Sequence, residues 1–380
     1  MTQSSGANAK PAGGSFNMTN NSSLLGFKGT EDLGNGLKGL FQVETNVNLT
    51  GGAAGVQANT GNSAFGSLRD SYVGVNSKYG TVMGGYLSTP YRSALNSFDV
   101  MPGATGVGRI ENLMGTMRFG GRPDNTGGTG YVQGVSSVRA TALAYALPTL
   151  YGFNGSIAYT GSANNGGSNQ TTVTEGTNTA TTLAPQSALS MNLGWSGYGV
   201  DIKGAFQQAK LNNTTAVSYS TGTGATNTTA ASNNPYQAYT SYLIGAAYTG
   251  IAGLKLAVVY NRNTLGLNEN TNADGTNQAA KGSNNQIWAG ASYRFGNNEP
   301  RLSYVNSSNT SGFDAGQDGG RQITANWGYY LSKRTQVYGL VSQVKNNANG
   351  VWNFAGTGSN LAPTGGQNLL TYGAGMRTNF

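Results

Sequence analysis

The stretch Gln286-Ile287-Trp288-Ala289-Gly290-Ala291-Ser292-Tyr293-Arg294-Phe295 decides the fold. Ile287, Ala289, Ala291, Tyr293 and Phe295 alternate with Gln286, Gly290, Ser292 and Arg294, and Trp288 is the exception on the polar side. Successive side chains of a strand point to opposite faces, so this run predicts a strand with one greasy face and one wet face. The same alternation recurs in both directions from it. Ile323, Ala325, Trp327, Tyr329 and Leu331 oppose Gln322, Thr324 and Asn326; Leu254, Leu256, Val258 and Tyr260 oppose Lys255 and Asn261. Met191, Leu193 and Trp195 alternate with Asn192, Gly194 and Ser196. No stripe of helical period competes with it, so long helices are not expected.

Fifteen such strands are placed near 23–32, 37–48, 67–76, 80–88, 139–147, 152–161, 187–197, 199–210, 240–250, 254–264, 285–296, 300–306, 321–331, 335–345 and 369–380. Their connections alternate in length. Tight turns such as Asp32-Leu-Gly-Asn-Gly36, Ser77-Lys-Tyr-Gly80 and Gly197-Tyr-Gly199 take turns with long polar joins over 49–66, 88–138, 161–186, 211–238, 264–284, 306–320 and 346–367. A soluble sandwich has no reason to keep this rhythm. A barrel crossing a bilayer has one, because its two rims face different compartments. Strands of about nine to eleven tilted residues suffice to cross the hydrocarbon core. The chain therefore reads as an all-β, transmembrane antiparallel β-barrel. Bacterial barrels have even strand numbers, so about 16 strands are expected with 15 recognised, the first apparently missing. Residues 1–22 read as a polar N-terminal segment, the remnant of the first long loop, and 23–380 as a single barrel domain.

Composition removes most chemistry. Among 380 residues there is no histidine and no cysteine, so neither a Ser-His-Asp triad, a Cys-His pair nor the usual zinc site can be assembled. Glu31 and Asp32 are adjacent in a strand and face opposite ways, which rules out a carboxylate acid/base couple, and the Asn268–Gly275 segment lacks the ligand spacing of a calcium loop. The expectation is no catalysis, no cofactor and no metal. The net charge of +8 comes from Lys and Arg scattered singly, unlike the basic runs of a nucleic-acid binder. No run of 18 apolar residues exists for a helical span, and Met1-Thr-Gln-Ser-Ser opens no charged-then-apolar leader. Any export signal is expected to have been removed or to lie upstream.

Several segments resemble the trimeric general porins of the Gram-negative outer membrane, in particular the neisserial and betaproteobacterial branch. They are Leu25-Gly-Phe-Lys-Gly-Thr-Glu-Asp-Leu-Gly34, Gly36-Leu-Lys-Gly-Leu-Phe-Gln-Val-Glu44, Arg69-Asp-Ser-Tyr-Val-Gly74, Tyr79-Gly-Thr-Val82, Tyr330-Leu-Ser-Lys-Arg-Thr335 and the final Gly375-Met-Arg-Thr-Asn-Phe380. In two places the chain departs from that pattern: Leu24 and Tyr86 stand where the family often has arginine.

The resemblance implies a passive water-filled channel for ions and small hydrophilic solutes in the outer membrane. The third long loop, 88–138, would fold inward and narrow it, carrying Asp99, Arg109, Glu111, Arg118, Arg122 and Asp124. The basic wall across the lumen would be drawn from Lys28, Lys38, Arg69 and Arg139. Lys38 shares a face with Gln42 and Glu44, opposite Leu37, Phe41 and Val43, and so points inward if those face lipid. With that wall a weak bias toward anions is expected. The C-terminal strand, with Tyr372 on the face of Phe380, is similar to the insertion signal read by the barrel assembly machinery. The implied partners are two further copies in a homotrimer, outer-membrane lipid and lipopolysaccharide, and small ions and polar solutes, with no nucleic acid. The competing reading is an adhesin or surface-layer protein using its Thr/Asn/Ser/Gly loops as an interaction surface. A β-solenoid for that role would show a fixed-period repeat, and none is found.

Overall fold

The computed structural model describes residues 2–5, 18–49, 64–101, 106–115, 138–161, 171–175, 178–212, 218–221, 225–228, 236–267, 270–271, 277–278, 281–311, 317–354 and 365–380. Sixteen antiparallel strands form one sheet. They are β1 (Thr2–Ser5), β2 (Leu24–Gly34), β3 (Leu37–Val47), β4 in two pieces (Phe65–Leu68 and Ser71–Ser77), β5 (Gly80–Ser88), β6 (Arg139–Ala146), β7 (Phe153–Gly161) and β8 (Asn178–Gly197). The series continues with β9 (Val200–Asn212), β10 (Tyr236–Tyr248), β11 (Leu254–Leu267), β12 (Lys281–Tyr293), β13 (Asn298–Ser307), β14 (Gly320–Tyr330), β15 (Thr335–Asn346) and β16 (Asn368–Thr378). Each strand from β2 to β16 pairs with the next. β1 then pairs with the outer end of β16, Thr2 opposite Thr371 and Ser5 opposite Asn368. Among the described residues no backbone pairing joins β1 to β2, and both faces of β2 are largely exposed, as befits an edge.

The burial pattern is inverted relative to a soluble protein. Along β14 every second residue is buried, and the buried ones are Gly320, Gln322, Thr324, Asn326 and Gly328; the exposed row is Arg321, Ile323, Ala325, Trp327 and Tyr329. On β12, Ile287 is 51% and Tyr293 46% exposed, whereas Gln286 is 0% exposed. Water on the inside and hydrocarbon on the outside explain this pattern, since a strand sheet can satisfy every backbone group between neighbours while standing in lipid. No helix among the described residues is long and apolar enough to cross a membrane.

Fifteen strands fall where the alternation puts them. Two differences have physical causes. β1 lies inside the segment read as a loop, because Thr-Gln-Ser-Ser is short, wholly polar and carries no alternation. The strand read as 67–76 is split at Arg69-Asp70, where the Arg69 amide donates to the Glu44 carbonyl (2.9 Å) and the Glu44 amide donates to the Ser71 hydroxyl (3.0 Å). Such an irregularity lets two consecutive side chains both find polar partners, which a regular strand would send apart.

Candidate channel constriction

The 88–138 join leaves the wall at Ser88 and immediately forms a helix, α1 (Pro90–Phe98). Thr89 caps it, its side-chain oxygen accepting from the Arg92 amide (3.3 Å), and Pro90 occupies the first turn, where a missing N–H costs nothing. Tyr91, Ala94, Leu95 and Phe98 lie at i, i+3, i+4 and i+7 and are buried, which gives the helix one apolar stripe. The sequence reading placed a loop here. The Thr-Pro start and this short stripe are the signals that would have found the helix.

The stripe packs inside the sheet against β7 to β11. Polar wall residues fix its backbone. Ser190 accepts from the Tyr91 amide (3.0 Å), Asn192 donates to the Pro90 carbonyl (2.7 Å), and the Tyr91 hydroxyl bonds to Asn261. At the other end the Lys255 ammonium donates to the carbonyls of Ser97 (2.9 Å) and Asp99 (2.8 Å), a cation where helix carbonyls run out of partners. Asp99 then accepts from the amides of Met101 (2.8 Å) and Ile110 (3.0 Å), stapling the two sides of the loop; burial pushes its carboxyl up to about 7. Farther on, Gln286 accepts from the Gly115 amide (2.9 Å) and donates to the Leu113 carbonyl (2.7 Å), while Gln322 donates to the Val107 carbonyl (2.6 Å). Trp288, the exception in the alternation, is 1% exposed and belongs to the apolar cluster formed with Tyr91, Phe98, Val100 and Met101 of the loop. A Cβ on Gly290 would stand 2.3 Å from the Trp288 ring, so glycine leaves the indole its place.

The outward face of the loop is charged. Arg92, on the polar side of α1, grips Glu111 through both terminal nitrogens (2.6 and 3.1 Å), and Asn96 (3.0 Å) and Arg109 (3.7 Å) complete the set. Burial lowers the Arg92 pKa and Glu111 opposes that shift; the guanidinium stays charged. On the wall, Arg69 reaches Glu44 (3.7 Å) and Asn46 (3.1 Å), and Arg139 bonds to Asp70 (3.0 Å), which also holds Ser88. Loop and wall form one electrostatic group: Glu111 acts on Arg69, while Asp70 and Arg139 act on Arg92.

The structure therefore brings together Arg69, Arg139, Arg109 and Glu111 of the expected set and adds Arg92, Glu44 and Asp70. Asp99 lies beneath the loop as a staple instead of facing this group. Lys28 and Lys38 are on the inner face by register and exposed: Lys28 stands opposite Gln42, which donates to Glu44 (2.7 Å), and Lys38 stands between Asp32 and Asn76. Lys38 stands beside the Gly34–Gly36 turn, roughly 20 Å along the strand from Glu44 at ~3.3 Å per residue. Arg118, Arg122 and Asp124 lie outside the described residues. Tyr372 and Met376 are exposed on the outer face of β16, and Phe380 follows the strand, whose last backbone bond runs from the Asn379 amide to Arg334 (3.0 Å).

An inverted sheet of sixteen strands with a charged loop folded inside it is an outer-membrane β-barrel channel. The Gram-negative porin family matches residues 2–349, and the chain belongs to that family. It is similar to the major outer membrane protein P.IA of Neisseria meningitidis serogroup A, with 27% identity over 353 residues covering 87% of this chain and 78% of that relative. Among solved structures it resembles the anion-selective porin from Comamonas acidovorans (TM-score 0.64, 21% identity, 94% of this chain and 89% of that one). It also resembles the trimer form of OmpT from Vibrio cholerae (TM-score 0.54, 14% identity, 99% and 95%). The protein is a water-filled diffusion channel of the outer membrane.

Proposed function

We propose that the channel passes small anions in weak preference to cations, that it works as a homotrimer, and that it catalyses no reaction. One observation carries the preference: the constriction sets four guanidinium groups, Arg69, Arg92, Arg109 and Arg139, against three carboxylates, Glu44, Asp70 and Glu111. The side chains of Arg69, Arg109 and Arg139 stay partly exposed (18%, 33% and 17%). A passing anion meets that charge, and the low-dielectric wall focuses its field on the anion. Lys28, whose cross-strand partner Gln42 bonds to Glu44, adds to this field, while Lys38 is offset by Asp32 opposite it and is screened over about 8 Å at physiological salt. The Comamonas structure is of an anion-selective porin and the Vibrio one of a trimer, and both agree with this reading. The exposed row of Tyr372, Met376 and Phe380 suits both contact with outer-membrane lipid and lipopolysaccharide and display to the insertion machinery.

The test is a reversal potential across a planar bilayer in a potassium chloride gradient, with single insertions followed for conductance steps. A modest potential of the sign set by chloride, with closures in three equal sub-steps, is expected. Preferential cation flux would overturn the preference, and single-step closure the trimer.

A further inference from the structure

The described start of the last long join, 346–354, also folds inward. Trp352 and Phe354 are buried in the same apolar cluster that contains Leu113 and Met114 of the first inward loop and Val344 and Leu369 of the wall, and Val351 beside them is buried too. Asn346 organises the turn: it donates to the carbonyls of Trp352 (2.9 Å) and Gln367 (2.6 Å) and accepts from the Trp352 amide (2.8 Å). The Trp352 indole donates to the Asp318 carbonyl of the preceding long join (3.0 Å). Backbone bonds from Asn347 to Gly319 and from Asn349 to Gln317 (both 2.9 Å), together with Asn347 to the Asn309 side chain (2.7 Å), knit the two joins together.

The seat of the indole is specific. Gly320 shares the inner face of β14 with Gln322 and Thr324, and a Cβ there would stand 2.5 Å from the Trp352 ring. The next inner position, Gln322, holds the constriction loop at Val107 and Asn112, and Thr324 lies against Gly108. Trp352 is therefore seated at Gly320, one inner position outward of the loop's attachment at Gln322, and packs with Val344 of β15 and Leu369 of β16 in one cluster.

From this geometry we infer that Trp352 is a positioning residue for solute size. It closes the outer end of the lumen along β14 to β16 and backs the far side of the constriction loop. Solutes are thereby confined to the passage along β2 to β6. A glycine at 320 is what admits the ring. This inference rests on the channel reading and is independent of the ionic preference, so it is tested with uncharged solutes.

The experiment is swelling of proteoliposomes in neutral saccharides of increasing size. Trp352→Ala and Gly320→Val, the second evicting the indole without removing it, are compared with the parent chain, each first shown to keep its folded-barrel mobility on unheated gels. Both variants are expected to speed entry of the larger sugars while leaving the smallest nearly unchanged, and Trp352→Phe is expected to restore most of the parent cut-off. Unchanged size dependence in the folded variants, or a proportional gain for every sugar, would overturn the inference. If Trp352→Ala does not fold, Gly320→Val decides alone.

Discussion

The inner surface of the barrel has two unlike halves. From β8 to β15 most inward residues are neutral amides, hydroxyls and aliphatics, nearly all of them buried: Ser190, Leu243, Val259, Asn261, Asn263, Gln286, Val305, Gln322 and Ser342; the charged ones are engaged, Lys203 with Asp201, Lys255 with the carbonyls of Ser97 and Asp99, and Arg301 with Glu299. From β2 to the start of β6 many are charged and only half-buried or exposed, Lys28, Asp32, Lys38, Glu44, Asp70 and Arg139 among them, with a small apolar patch at Leu87, Met83 and Tyr72. The difference follows from what covers each half. A buried amide that lost its partner would cost about 1–3 kcal/mol, so the covered half uses groups that bond to one another and to loop carbonyls. Asn261, Asn263 and Gln286 do so at 2.9–3.1 Å. Arginine on the covered half occurs only with a full set of partners, as Arg301 does with Glu299, Asn326 and Gln336. One half of the pore wall is thus a foundation for the loop, and the other is the surface that solutes meet.

The largest effect that could break this comparison belongs to the foundation. Trp288→Ala removes a fully buried indole and is expected to destabilise the folded barrel by about 3–5 kcal/mol, as for other buried aromatics truncated to alanine. Urea unfolding in detergent measures it, with noisier single-channel currents as the loop loses its seat. Trp327→Ala, on the exposed outer face of β14, should leave the current quiet. Equal noise in both variants would mean that the loop does not depend on the covered half.

A smaller effect, and one of another kind, belongs to the open half. Replacing Arg69 and Arg139 by Glu exchanges two cations for two anions beside the passage. A unit charge about 4 Å from a passing ion is worth about 1 kcal/mol in water and about 4 kcal/mol at an effective dielectric of 20. The reversal potential is therefore expected to change sign. Arg301→Gln, on the covered half, should lower stability and leave the potential in place. If it shifted selectivity as much as the double swap, the division of labour proposed for the two halves would fail.

The strands were legible because lipid enforces a period of two on every one of them. The division of the wall was not, since an inward Asn and an inward Lys look alike to an alternation pattern. Its trace was nevertheless present in the sequence. Trp288 broke the alternation of its strand, and Val259 stands on the face that Lys255 and Asn261 mark as polar. Both are inward apolar residues under the loop. A break of this kind marks where something docks from inside. Arg92 was missed for a related reason: it belongs to the polar side of a helix hidden in a join read as irregular.

The smallest predicted effect concerns how the foundation grips the loop as pH changes. Asp99 is buried beneath it, with Lys255 from β11 and Glu111 from the loop as the charged groups acting on it. Loss of solvation raises its carboxyl to about 7 from 3.8, against the pull of the Ile110 and Met101 amides. A raised carboxyl means that the docked loop keeps a proton which an undocked loop has released. Docking is therefore strongest near pH 4, weakens as pH rises through about 4 to 7, and levels off above 7, where both forms are ionised. Closures and current noise in voltage-clamped bilayers should increase from pH 4.5 to pH 8. Asp99→Asn cannot ionise, so its noise should be independent of pH in that range. Because an amide has only one acceptor oxygen for the two backbone donors, the variant's noise should lie above that of the parent at pH 4.5. A variant that kept the parent's pH slope would assign the titration to another group, and the arginine-rich open half would be the place to look for it.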